Sequence, residues 1–433
     1  MYEVLVIGGG SAGYVAGSVL ARKGIKTAVV EKEKFGGTCV NSGCVPSIFL
    51  FDSSFMLSRW KEIGDYKGIN VDVEMSDCTF SKRDDIVSYL SSAGRSLVEN
   101  AGAQVYLGEA KIREKGKAEV NGETIEFKRL IVASGSSPIS YPGVITEDEA
   151  VNLRYVPRDM IVVGGGYAGV EIAQIFARLG SSVTLVTRHR ILNGFSEKAR
   201  DYVIQSLEFD GVQVKEFHEV IKMEGNEVVT NKGTMKGEVV VSAMGRRPVL
   251  PEGLTKNYNV KVNEKGIAVR RNMMTDDCDV FAVGDVIDKP NKTAHSAMYE
   301  AIVASQTISG TPMEVSYECI PKVIYSDPQV GIVGVPEKAT KIAEFPFNAV
   351  TRATISGLRD GMVRIGFNER NEIVYGEVIG KNAEELINTL TLAVKYRVNM
   401  FDLATTVFVH PSLSEAISNA SKSVFDLDVD RFK

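Results

Sequence analysis

Val4–Lys32 reads VLVIGGGSAGYVAGSVLARKGIKTAVVEK, and Met160–Arg188 reads MIVVGGGYAGVEIAQIFARLGSSVTLVTR. The two stretches align without a gap at a constant offset of 156 residues. Ile7-Gly8-Gly9-Gly10 lies over Val163-Gly164-Gly165-Gly166, Gly13 over Gly169, and Gly24 over Gly180. Each copy is a β-branched run, a G-x-G-x-x-G turn, a helix-like stretch and a second β-rich run. That succession is the βαβ unit of dinucleotide binding. The first glycine (Gly8, Gly164) permits a tight turn, and the second (Gly10, Gly166) lets backbone approach a pyrophosphate. The third (Gly13, Gly169) allows the helix to pack closely on the strand. A diphosphate then sits at the helix N-terminus, where free N–H groups and the helix dipole favour negative charge. Two such units predict an α/β protein with two Rossmann-like nucleotide-binding domains.

The copies differ at the end of the second strand. The first ends Val29-Val30-Glu31, and an acid there accepts a hydrogen bond from a ribose 2′-OH. The second ends Leu185-Val186-Thr187 and continues Arg188-His189-Arg190. Without the carboxylate, and with two guanidinium groups available, a 2′-phosphate is attracted rather than repelled. This predicts NADP(H) in preference to NAD(H) at the second site.

Composition sets the class. The chain has 433 residues, 44% of them hydrophobic and 24% charged, with a formal net charge of −5. It is long enough for several domains and ordinary enough for a globular core. A mild negative charge without blocks of one sign argues against nucleic acid or an anionic membrane as partner. Residues 4–21 carry no charge, but the five glycines among them read as strand, turn and helix rather than a span. The flank Met1-Tyr2-Glu3 lacks the positive charge of a secretory signal, so a cytoplasmic protein is expected.

Of the five cysteines, Cys78, Cys278 and Cys319 are isolated and are expected to be inert, buried thiols. The other two stand in Phe35-Gly36-Gly37-Thr38-Cys39-Val40-Asn41-Ser42-Gly43-Cys44-Val45-Pro46-Ser47. Five helical residues rise about 7.5 Å, beyond the roughly 4.4–6.8 Å between Cα atoms that a disulfide spans. If they bond, one regular helix cannot hold both, and Cys39 is expected on an irregular turn permitted by Gly36, Gly37 and Gly43. A disulfide in a cytosolic protein is usually catalytic or redox-sensing.

Several runs resemble the pyridine nucleotide–disulfide oxidoreductases, the group of dihydrolipoamide dehydrogenase, glutathione reductase and mercuric reductase. The run G-G-T-C-x-N-x-G-C-x-P-S is the most specific, and the similarity extends over essentially the whole chain. Ile131–Ser136, which contains Ser134 and Gly135, resembles the strand and turn that return the chain from the FAD fold. Ala243–Pro248, with Gly245, resembles the exit from the nicotinamide domain. Val280–Asp285, with Gly284, resembles the second FAD motif, whose aspartate, here Asp285, bonds the ribityl chain. Val409–Glu415 resembles the C-terminal catalytic motif.

The resemblance implies FAD and a nicotinamide nucleotide as cofactors, no metal, and a redox disulfide between Cys39 and Cys44. Cys44 would face the flavin and Cys39 would exchange with substrate. Thr38 would lie beside the FAD, and Tyr167 would cover the flavin until nicotinamide displaces it. His410, oriented by Glu415, would be the general acid–base and would come from the partner subunit of a homodimer. One position departs from the pattern: the lysine that usually follows Pro-Ser is Ile48 here, while its glutamate counterpart, Glu171, remains. An ionised buried carboxylate without a partner is costly. Glu171 is therefore expected to have water access, another cation or a raised pKa.

The resemblance also divides the chain. Residues 1–145 and 266–315 would form the FAD-binding domain, 146–265 the NAD(P)-binding domain, and 316–433 an α+β dimerisation domain. The substrate would be a small disulfide or dithiol, in a dihydrolipoamide dehydrogenase-like or a low-molecular-weight disulfide reductase reaction. Mercuric(II) reduction stays open because Cys39 and Cys44 suit a soft metal ion. Against it, there is no N-terminal C-x-x-C module, and Asp428–Lys433 holds no vicinal cysteine pair. A flavin redox sensor of low turnover and a flavin oxidase are the readings from other classes.

Overall fold

A computed structural model describes residues 1–76 and 78–430; Arg431–Lys433 of the C-terminal run lie outside the described residues. Strand β1 (Tyr2–Ile7) and strand β2 (Thr27–Glu31) flank helix α1 (Ser11–Arg22). The buried β-branched runs make parallel strands: Val4 pairs with Thr27 and Ile7 with Val30. Such strands are apolar on both faces because both faces are covered. Gly17 on α1 allows the close approach. A Cβ there would stand 2.4 Å from Val29 Cγ2.

The chain then forms α2 (Gly37–Asn41), α3 (Cys44–Lys67), α4 (Thr79–Asn100), β3 (Gln104–Leu107), β4 (Lys111–Glu114), β5 (Lys117–Val120) and β6 (Glu123–Val132). The sheet order is β3-β2-β1-β6-β5-β4, and the late strand Val280–Ala282 adds to β6. Strand β6 does two jobs. Its first half pairs antiparallel with β5, and its second half pairs parallel with β1 and with the late strand. The nearly continuous apolar run Leu130–Ala133 has both faces buried.

The second glycine unit repeats this plan in a five-stranded parallel sheet. Its order is Gln213–Lys215, Ser182–Val186, Asp159–Val163, Val239–Ser242, Ile145–Thr146. A two-stranded ribbon, Ser136–Pro138 against Arg246–Pro248, connects the two nucleotide-binding folds. The C-terminal part is a five-stranded antiparallel sheet, Lys322–Ile324, Val330–Gly334, Ile373–Ile379, Met362–Phe367, Lys341–Pro346. Helices Ala383–Lys395 and Glu415–Lys422 cover it and share its apolar core. The architecture is thus two Rossmann-like α/β folds followed by an α+β region. Among the described residues, no helix is long and apolar enough to cross a membrane.

Candidate active site

The first glycine turn is dictated by close approach. Gly8 adopts φ +107°, and a Cβ on it would lie 2.3 Å from the Ala133 carbonyl oxygen. A Cβ on Gly13 would lie 1.7 Å from the Gly8 oxygen. Gly10 caps α1 without a side-chain acceptor. Gly10, Ser11 and Ala12 therefore present the helix N-terminus to a deep cleft. Glu31 supports the same turn. It accepts from the Gly9 N–H at 2.6 Å and the Glu33 N–H at 2.8 Å, and it still borders the cleft.

The second turn copies the first. Gly164 has φ +131°, and a Cβ there would meet the Ala243 oxygen at 2.1 Å. A Cβ on Gly169 would meet the Gly164 oxygen at 1.8 Å. Gly166 caps helix Tyr167–Leu179 without a side-chain acceptor. Thr187 occupies the place of Glu31, its hydroxyl 2.7 Å from where a Cβ on Gly165 would be. Arg188 bonds His189 at 3.1 Å, and Arg190 pairs with Glu197 at 3.3 Å on the surface.

The cysteine run corrects one expectation. Cys39 lies not on an irregular turn but within the short helix α2. The irregularity falls at Ser42 (φ −150°, ψ 18°) and Gly43 (φ −136°, ψ −113°), after which α3 begins at Cys44. Breaking one helix into two solves the spacing problem and brings the thiols into hydrogen-bonding contact. Gly37 sets the position of α2, because a Cβ on it would lie 2.7 Å from Gly10 Cα. Asn41 holds the corner by donating to the Phe35 carbonyl at 3.0 Å and the Gly37 carbonyl at 2.9 Å.

Both thiols are free, and both face the cleft. Their mutual hydrogen bond pulls the first proton of the pair below the ordinary thiol range and pushes the second above it. The first to ionise is thus the better placed of the two to act as a nucleophile. The other cysteines differ from expectation. Cys78 and Cys278 are exposed and Cys319 is half-buried, so burial does not protect them.

Tyr167 and Glu171, one helical turn apart, form part of the same cleft wall, and Tyr167 packs edge-on against Phe195 with ring centres 5.4 Å apart. Glu171 accepts from the Tyr325 N–H at 3.0 Å. Among the described residues it has no cationic partner, and burial pushes its pKa up to about 7. Of the three expectations for this acid, two are observed, access to the cleft and the raised pKa, while a cationic partner is absent among the described residues.

Two groupings escaped the sequence reading. Arg246, on the connecting ribbon, pairs with Asp148 at 2.6 Å and Glu147 at 3.0 Å, and donates to Ser136 and Thr38. Ser136 in turn donates to Asp285 at 3.0 Å. Arg246 thereby ties the turn bearing Asp285 to the cysteine helix. The second grouping is a fully buried ion pair, Lys289 with Glu300 at 3.0 Å. Glu300 also accepts from the Gly284 N–H and from Tyr317, which holds Gly284 at φ +81° and so aims Asp285 at the cleft. The Arg246 grouping joins residues far apart in sequence, and the Lys289–Glu300 grouping joins residues 11 to 17 apart with no regular spacing.

Cleft-lining positions among the expected residues are Gly8, Gly10, Glu31, Thr38, Cys39 and Cys44 on the first fold. Ser134, Gly135, Gly166, Tyr167, Glu171, Gly245, Gly284 and Asp285 join them. Ser134 donates to the Val249 carbonyl at 2.5 Å. Gly13, Gly164 and Gly169 lie behind the turns they permit. His410 and Glu415 are elsewhere. They bond each other at 2.8 Å, with Glu415 also accepting from the Ser412 N–H, but His410 is 66% exposed and does not line the cleft of its own chain.

The cleft encloses about 1870 Å³, well beyond the roughly 300–1,000 Å³ of an ordinary small-ligand pocket. Crowded glycines at one helix N-terminus, Glu31 beside them and Asp285 opposite fit an FAD laid along it. A nicotinamide would enter from the Tyr167 side, at the second helix N-terminus. FAD, when bound, supplies two-electron transfer between a nicotinamide and sulfur. The residues at the first glycine turn would bind its phosphates, Glu31 and Asp285 would hold its sugar units, and Cys39 and Cys44 would present two thiols to it.

The model of the pyridine nucleotide-disulphide oxidoreductases matches residues 2–301, and the model of that family's dimerisation domain matches residues 320–421. The chain therefore belongs to the pyridine nucleotide–disulfide oxidoreductases, flavoproteins that use FAD and NAD(P). Within that family it is similar to dihydrolipoyl dehydrogenases. That of Trypanosoma brucei brucei is 32% identical, over 98% of this chain and 96% of its own length. That of Geobacillus stearothermophilus is 32% identical, over 97% and 95%. The fold is shared with LpdA from Mycobacterium tuberculosis, with a TM-score of 0.90 at 23% identity, covering 98% of this chain and 100% of that one. It is also shared with the HOCl-induced flavoprotein disulfide reductase RclA from Escherichia coli, with a TM-score of 0.86 at 20% identity, covering 98% and 100%.

Proposed function

We propose that the chain passes two electrons from NADPH through FAD to a Cys39–Cys44 disulfide and on to a small disulfide substrate. The observation that carries this reading is the placement of Cys39 and Cys44 between the FAD turn and the wall formed by Tyr167 and Glu171. Cys44 heads α3 and faces the flavin position; Cys39, in the contact pair, attacks the substrate as a thiolate. Tyr167, 37% exposed at the N-terminus of its helix, swings aside for the nicotinamide. Thr38, Ser134 and Asp285 hold FAD together with Gly8, Gly10 and Glu31.

The preference for NADPH over NADH rests on Thr187 in place of an acid and on the exposed Arg188, with Arg190 and His189 beside it. Dihydrolipoyl dehydrogenases typically use NAD, so comparing kcat/KM for the two nicotinamides is a strong test. An NADH preference of tenfold or more overturns the assignment.

His410 acts as acid–base in the cleft of a second copy, held in one tautomer by Glu415. Its exposure supports a homodimer, as does that of its neighbours Val407 and Val409, 95% and 76% exposed. The exposed unpaired thiols Cys78 and Cys278 suit a reducing cytoplasm. The substrate is decided by a panel of lipoamide, glutathione disulfide, cystine derivatives and Hg(II), run on the wild type and on Cys44→Ala. Turnover of a disulfide that vanishes in Cys44→Ala supports the proposal. Oxygen consumption without thiol production, equal in both proteins, sinks it.

A further inference from the structure

The wall of the cleft beside Cys44 carries an acid where an ion pair would be expected. Glu171 approaches from helix Tyr167–Leu179, and Ile48 faces the same cleft from the first turn of α3. Ile48 offers the carboxylate neither charge nor hydrogen bond. The hydrogen bond it has is from the Tyr325 N–H, which satisfies part of one oxygen's capacity.

The groups that face Glu171 are Cys44 from α3, Tyr167 from its own helix, and Tyr325 beyond strand Lys322–Ile324. Cys39 reaches it through Cys44. Behind Tyr325 stand the carboxyl groups of Glu384 and Glu385 on helix Ala383–Lys395. None of the cations on the cleft wall pairs with Glu171: Lys34 has no ion pair among the described residues, Lys395 lies over the Tyr396 ring, Lys32 pairs with Glu33, and the others are committed elsewhere. Arg246 pairs with Asp148 and Glu147, Lys289 with Glu300, and Lys292 donates to the Asp285 carbonyl.

We infer that Glu171 is a redox-linked proton acceptor, which binds a proton from solvent when the neighbouring Cys39–Cys44 disulfide is reduced to a thiolate and thiol. This rests on the proposed disulfide chemistry. Reduction places two electrons on the sulfurs and breaks the S–S bond. One sulfur takes a proton and the other keeps a negative charge, which the Glu171 proton offsets. A fixed lysine charge at position 48 would do the same by Coulomb attraction and would take up nothing.

The sign follows from the geometry. With both thiols free and uncharged, desolvation puts Glu171 near 7, and an uncharged disulfide leaves that desolvation in place. A thiolate nearby raises its proton affinity further, since the repulsion is mutual: Glu171 already pushes Cys44 up. Below that range Glu171 is protonated in both redox forms. Above it, reduction draws in up to one extra proton until the raised value is itself passed.

The test is the pH dependence of the Cys39–Cys44 potential in the FAD-bound protein. The protein is equilibrated in dithiothreitol buffers between about pH 6 and 9, and free thiols are trapped and counted. Wild type is expected to take up to one proton more per two electrons than E171Q above about pH 7, and to match it below. I48K, which supplies a fixed cation, is expected to behave as E171Q does. Infrared difference spectra of the reduced minus the oxidised protein give a second readout. A protonated carboxyl band should appear in wild type and be missing in both variants. Equal proton uptake by wild type and E171Q, or by wild type and I48K should E171Q not fold, overturns the inference. Failure of the pair to interconvert at all would instead overturn the disulfide reading.

Discussion

At Cys39 and Cys44 the proposed chemistry separates into two tests. Cys44→Ala is expected to leave FAD bound and still reducible by NADPH, while disulfide turnover falls at least about a thousandfold, the scale of losing a nucleophile. Stopped-flow absorbance of the flavin checks the first half and steady-state thiol release the second. Glu171 makes a separate statement about stability. Its pKa rises from 4.5 to about 7 on folding, so the native state holds its proton longer than the unfolded chain does. Stability is therefore full below about pH 4.5 and declines as pH rises through 7. Glu171→Gln should raise the stability of the FAD-free protein above pH 7 by about 2 kcal/mol, allowing for partial access to the cleft. Urea melts at about pH 5 and 8 should show the variants converging at the lower value. A gain equal at both values would mean that titration is not the cause.

At the scale of elements, the glycine turns are the tightest joints. A methyl on Gly13 would lie 1.7 Å from the Gly8 oxygen, a backbone atom that cannot swing away. Gly13→Ala is expected to abolish FAD retention, read by the absorbance of the purified protein, whereas Ala at Gly24, whose Cβ would meet nothing within 4 Å, costs only its positive φ of 77°. The ribbon Ser136–Pro138 with Arg246–Pro248 is a second joint. Arg246→Ala strands Asp148 and the buried Glu147 without their partner. The expected cost is about 3 kcal/mol, with weaker FAD binding because Thr38 and Ser136 lose their donor. A thermal melt with and without added FAD measures both.

At the scale of the whole molecule, the proposed homodimer has each cleft completed by the exposed His410–Glu415 pair of a second copy. Cys44→Ala and His410→Gln should each be inactive as pure dimers, yet mixed dimers hold one intact composite site and are expected to regain up to half of the wild-type activity per dimer. No recovery on mixing, in dimers shown by mass to be hybrid, would mean that His410 serves its own chain or none. Val407→Lys, by charging a nearly bare apolar residue, should weaken the dimer, which sedimentation would reveal.

Much of this was readable in the linear chain because it depends on backbone demands that are local. A positive φ at Gly8 and Gly164, a helix N-terminus after Gly10 and Gly166, and an acid or its loss after the second strand all follow from residues within one βαβ unit. The split between α2 and α3 was half-readable: rise per residue ruled out one helix, but it could not place the break at Ser42–Gly43 rather than at Cys39. What the tertiary structure decided are contacts between segments about a hundred residues or more apart: Arg246 on Thr38 and Asp148, and the Tyr325 N–H on Glu171. The burial of Lys289 and Glu300 beneath Asp285 belongs with them, since it depends on packing from all sides. Such contacts have no period and no spacing, since Coulomb and hydrogen-bond energies depend on distance in space. Glu171 shows the division best. Ile48 announced a missing charge, and only the packed cleft, by desolvating the acid, raised its proton affinity.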